Sequence, residues 1–130
     1  MEKISFRDMG LLLLRLGPAL SFMAHGWAKF ANVAGTTAFF AKLELASPFV
    51  YLVATVELLG GAALLVGKWT RVAGMLLAVN MFFAIFLVKR QAGFLGGYEL
   101  ELVLLLFSLG IALVGPGGYA WGGIFSKEKA

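Results

Sequence analysis

The stretch LLLLRLGPALSFMAHGWAKF, residues 11–30, decides how the chain is read. It is about as long as the ~20 residues an α-helix needs to cross a bilayer. It nevertheless carries Arg15, His25 and Lys29. Ionisable groups at membrane depth are costly and are expected to face a bundle interior and find partners there. At 100° per residue the three basic side chains fall within an arc of about 80°, so they form one polar stripe on an otherwise apolar helix. Gly26 lies on the same side, where it lets a ligand or a neighbouring backbone come close. Gly17-Pro18 is positioned to kink the helix, because proline removes a backbone hydrogen bond.

Composition agrees with a membrane chain. Of 130 residues, 61% are apolar and 14% charged, whereas soluble domains lie near about half and about a quarter. A chain this short has too much surface to hide that apolar excess from water. A single unit is expected over 1–130. Its apolar runs lie near 9–30, 48–66, 72–88 and 98–114, and none has the period-two alternation of barrel strands. The fold class expected is therefore an all-α membrane protein, a four-transmembrane-helix bundle. The apolar run behind MEKISFRDMG is longer than a signal h-region, contains Arg15 and lacks a small-x-small cleavage site, so it reads as a retained span.

The breaks between runs carry interface chemistry. GKWTR (67–71) is a tight turn with Trp69 between two cations, KRQAGFLGG (89–97) is basic and then glycine-rich, and GPGGYAWGG (115–123) cannot continue a helix. In the long connection 31–47, Phe39, Phe40 and Leu43 share one side, away from Lys42 and Glu44. This predicts a short interfacial helix between the first and second spans. Lysine and arginine counts favour cytoplasmic N- and C-termini. Lys3, Arg7, Lys68, Arg71, Lys127 and Lys129 then lie inside, and Lys29, Lys42, Lys89 and Arg90 outside.

The net charge of +4 is scattered, with no basic stripe of the kind nucleic acid requires. There is no cysteine, which excludes thiol relays and Cys-ligated clusters. A single histidine argues against a protein-only haem or zinc site. Electron chemistry would then need a diffusible cofactor or a partner protein, and no covalently held cofactor is expected.

Depth along each span suggests which polar groups meet. With the inner helix ends taken as level, Arg15 lies roughly 9 Å up the first span, Glu57 roughly 13 Å up the second, and Asn80 at a similar height in the third. Arg15, Glu57 and Asn80 are expected to form an intramembrane polar cluster, with Arg15 and Glu57 as a buried pair. Farther out, His25 and Lys29 come level with Glu99 and Glu101, which cannot both face inward; Glu99 is preferred. His25, Gly26, Lys29 and Glu99 are the candidate ligand-binding residues, and no catalytic residue is assigned. A structural clasp that only sets helix register is the competing reading. Gly60-Gly61 reads as helix packing rather than a phosphate loop, because no strand and no GK[ST] accompany it.

Three longer pieces resemble the DoxX family of small four-helix membrane proteins. They are LLRLGPALSFMAHGWAKF with Arg15, His25-Gly26 and Lys29; VELLGGAALLVGKWTRVAGMLLAVNM with Glu57, Gly60 and Gly61; and the closing LVGPGGYAW. The resemblance implies a multi-pass inner-membrane protein linked with quinone-dependent oxidoreductases, and relatives include a thiosulfate:quinone oxidoreductase subunit. No residue here points to thiosulfate chemistry. The function expected is a quinone- or lipid-binding subunit. Apolar helices would hold a tail, and His25, Lys29 or Arg15 would donate to the quinone carbonyls. A soluble or membrane oxidoreductase partner would deliver the electrons. The alternatives are a small proton-coupled transporter, working as a homo-oligomer, and a purely structural assembly subunit.

Overall fold

The computed structural model describes residues 5–121 as five α-helices, with no strand among the described residues. They are α1 (Phe6–Ala31), α2 (Val33–Lys42), α3 (Pro48–Val66), α4 (Thr70–Ala84) and α5 (Glu99–Val114). A wider π-helical turn, Ile85–Lys89, prolongs α4, and an irregular turn, Phe94–Tyr98, leads into α5. Four stretches are long and apolar enough to cross a membrane: Phe6–Ala31, Pro48–Val66, Thr70–Lys89 and Phe94–Val114. Helices are the form that closes every backbone hydrogen bond within such a segment. Lys3, Lys127 and Lys129, three of the cations expected on the cytoplasmic side, lie outside the described residues.

Local sequence explains where the helices begin and end. Pro48 opens α3, where its missing N–H costs nothing. Gly67 closes it in the left-handed region at φ 79°, its N–H bonded to the Ala63 carbonyl. Trp69 also takes a positive φ, 54°, in this tight turn, with the Lys68 ammonium 4.4 Å from its ring centre. The expected helix in the long connection is α2. Asn32 caps it by accepting from Gly35 N at 3.1 Å, and Phe40 is buried.

The long helices pack antiparallel in chain order, α1 on α3, α3 on α4 and α4 on α5, while α1 and α5 touch only sparingly. Ala19, Phe22, Leu64, Leu77, Met81, Leu104 and Ile111 form the shared core. Large apolar side chains such as Leu13, Leu20, Leu59, Val72, Phe86 and Leu113 point outward. That inverted surface suits lipid.

Between helices in lipid there is little hydrophobic driving force, so close packing sets the register. A Cβ on Gly26 would lie 2.6 Å from Leu58 N and 2.9 Å from the Ala54 carbonyl oxygen. One on Gly61 would lie 2.9 Å from both the Ala19 carbonyl oxygen and Met23 N. These two glycines therefore bring the α1 and α3 backbones together and lock their stagger. Gly60 faces Leu77 of α4, and Gly74 meets the Ser108 backbone of α5. The packing reading of Gly60-Gly61 fits these contacts.

Candidate functional site

The stagger separates the polar groups into two places. Gly61 opposes residues 19–23 and Gly26 opposes 54–58, so Glu57 is level with about residue 25. Arg15 lies about 15 Å farther along the bundle at 1.5 Å per residue. The expected Arg15–Glu57 pair is therefore not formed. Its depth estimate assumed level helix ends, but α1 has 26 residues against 19 in α3 and runs well past the end of α3.

Arg15 is instead a clamp on the glycine-rich segment after α5. Its Nη1 donates to the Pro116 carbonyl, and its Nη2 to the Tyr119 carbonyl at 2.7 Å. The residue is only 1% exposed, and among the described residues no carboxylate pairs with it. It lies where the C-termini of α3 and α5 converge, beside Gly67 and Pro116. The negative ends of those helix dipoles favour a cation there. Asp8 holds the same segment by accepting from Gly118 N at 2.8 Å, and Arg71 donates to the Ala112 and Leu113 carbonyls.

At the α2 end of the bundle, Glu57 is the centre of a second arrangement. Lys29 Nζ sits 2.8 Å from Glu57 Oε2, and Asn80 Nδ2 donates to Glu57 Oε1 at 3.0 Å. Both carboxylate oxygens are thus taken, one by a cation and one by an amide. Glu57 is buried, whereas the Lys29 side chain is 22% exposed. The Glu57–Asn80 part of the expected cluster forms, with Lys29 where Arg15 was expected.

These residues line a cavity of about 330 Å³ bounded by α1, α2, α3, α4 and α5. Its wall is mainly apolar, with Phe22, Phe39, Val53, Met81, Leu87 and Leu104. The polar groups on it are His25, Lys29, Glu57, Asn80, Lys89 and Glu101. A volume of this size lies at the small end of ligand sites, enough for a head group.

The candidate ligand residues divide accordingly. His25 and Lys29 line the cavity together. Gly26 is spent on the backbone of α3 and does not line it. Glu99 is exposed and faces a separate shallow hollow; Glu101 takes the inward place and pairs with Lys89 at 3.1 Å. The preference for Glu99 is corrected by the face of α5 that is buried. Leu104, Ser108 and Ile111 recur at helical spacing, and stepping back three residues from Leu104 reaches Glu101. No signal in the sequence separates the two, because residues 102–107, LVLLLF, are apolar on every face of the helix.

The family model described as DoxX matches residues 10–90. A Bacillus subtilis (strain 168) protein named "Putative oxidoreductase CatD" is 40% identical over 108 residues, covering 83% of this chain and 81% of its own length. The Escherichia coli (strain K12) "Inner membrane protein YqjF" is 28% identical over 126 residues, 93% of this chain and 95% of the relative. No solved structure matches the chain. With the family model covering more than half of the chain and four helices long and apolar enough to cross a membrane among the described residues, this protein belongs to the DoxX family.

Proposed function

We propose that this protein is an inner-membrane subunit that holds the head group of a quinone, or of a lipid, for a membrane oxidoreductase. The observation that carries the reading is the Lys29–Glu57–Asn80 constellation on the wall of an otherwise apolar cavity. Lys29 spends one N–H on Glu57 and keeps others for a ligand oxygen. His25, on the same wall, suits proton exchange with a bound ring. An oxidoreductase partner supplies the electrons, since the chain has no cysteine for a thiol relay. The oxidoreductase name of the B. subtilis relative and the inner-membrane name of the E. coli relative support the setting. Both termini are placed in the cytoplasm in this proposal, with α2 on the opposite side.

The test is solvent extraction of protein purified in mild detergent, followed by mass spectrometry. Co-purified quinone or lipid that falls in Lys29→Met, with the melting temperature followed in parallel, is the expected result. Native protein that carries neither under several extraction conditions would remove the support for a ligand site and favour a structural clasp.

A further inference from the structure

A second hollow, of about 300 Å³, lies between α1 and α5 on the side of the N-terminus of α1. Leu11, Leu14, Phe107, Gly110 and Val114 are on its wall, which carries no polar side chain. It shares a helix face with the polar cavity. At 100° per residue, Leu11 and Leu14 of the hollow and Phe22, His25 and Lys29 of the cavity fall within an arc of about 80° on α1. Gly26, which meets α3, lies outside that arc. On α5, Leu104 borders the cavity and Phe107 the hollow, less than a turn apart. The seam between these faces is not sealed. α1 and α5 touch only sparingly, and His25, Leu14, Leu106 and Val114 are exposed along it. Nothing lies within 4 Å of a Cβ built on Gly110.

Resting on the head-group reading above, we propose that the α1–α5 seam holds the apolar tail of a polyprenyl quinone, which leaves the polar cavity beside His25 and runs to Gly110. The cavity, at about 330 Å³, has room for a ring but not for a long tail as well. A tail bound in lipid gains from close packing rather than from escape from water, and a furrow floored by a glycine supplies that packing. One furrow suits one chain, whereas a glycerophospholipid would bring two. Leu14 and Phe22 are about 12 Å apart along α1, so only a tail long enough to cover that distance reaches the hollow. Gly110 is thereby a specificity-determining residue for tail length.

The experiment uses the full chain in detergent and two probes: a benzoquinone with a geranylgeranyl tail, and the same ring with only a methyl group. Gly110→Phe should weaken the tailed probe roughly tenfold, near the low end of what overpacking costs, and leave the methyl probe unchanged. Comparing native and variant for each probe cancels partition into the micelle. Leu113→Phe, which adds the same ring to an outward-facing position of α5, should change neither. Should Gly110→Phe not fold, a diazirine at the tail end of the probe should label the native chain within 106–115, and excess unlabelled probe should suppress that labelling. Labelling confined to other lipid-facing positions such as Leu59 overturns the tail path. So does equal weakening of both probes, or no weakening of the tailed one, and each leaves the head-group site standing. If Gly110→Phe also turns a dimer into a monomer while the tailed probe binds as before, the seam belongs to a second copy. Displacement of the tailed probe by phosphatidylglycerol would give the seam to a two-chain lipid. Binding of neither probe overturns the head-group reading and this inference together.

Discussion

Lys29 of α1 reaches Glu57 of α3 with 2.8 Å between Nζ and Oε2, linking two helices whose backbones are brought together by Gly26 and Gly61. The ion pair and the glycine contacts depend on the same stagger. If the helices moved apart, the carboxylate would lose its cation while still enclosed by apolar side chains.

Lys29→Met should therefore destabilise the protein in detergent by roughly 1–3 kcal/mol, the range for losing a hydrogen bond to a buried charged group. The double variant Lys29→Met/Glu57→Gln should be more stable than the sum of the single effects predicts, since removing both members leaves no stranded charge. Thermal unfolding of the four proteins in the cycle measures this coupling. Strict additivity would show that the pair contributes nothing as a pair.

Gly26→Ala should lower stability by about 1–3 kcal/mol, the usual cost of overpacking. The new Cβ would sit 2.6 Å from Leu58 N, where only backbone movement relieves it. Gly110→Ala is the control. Nothing lies within 4 Å of a Cβ there, and alanine improves helix propensity by up to about 1 kcal/mol over glycine. Melting temperatures should move in opposite directions for the two variants.

Arg15→Ala should loosen the segment after α5 rather than empty the cavity. Two carbonyls, of Pro116 and Tyr119, lose their donor, at a cost of roughly 3 kcal/mol for charged hydrogen bonds to neutral groups. A cysteine placed at Tyr119 should react faster with maleimide in the Arg15→Ala background, while co-purified ligand per folded molecule stays near its native level. Ligand loss without faster labelling would tie Arg15 to the cavity instead.

The proposed orientation makes Lys42 and Lys68 opposite in accessibility. Cysteine at Lys42, the last residue of α2, should be labelled by an impermeant maleimide added outside intact cells. Cysteine at Lys68, in the α3–α4 turn, should be labelled only after permeabilisation. The reverse pattern would invert the topology while leaving every contact described above unchanged.

The spans, the short α2 helix and the packing role of Gly60-Gly61 were determined by the sequence alone. Each rests on local properties: about twenty mainly apolar residues in a row, aromatic residues gathered on one side of a short segment, small residues at helical spacing. The same holds for the arc that gathers Arg15, His25 and Lys29 on one face of α1. Which groups meet across that face was decided only by the tertiary structure. Partnership depends on the axial offset between helices, and that offset comes from where Gly26 and Gly61 let two backbones touch. An offset of about 15 Å gave Glu57 to Lys29 and left Arg15 to the carbonyls beyond α5. Rotation of α5 about its own axis likewise turned Glu101 to the cavity and Glu99 away, because residues two apart on a helix point to nearly opposite sides. Helix identity is a property of neighbours in the chain, whereas stagger and rotation belong to pairs of helices and exist only once they pack.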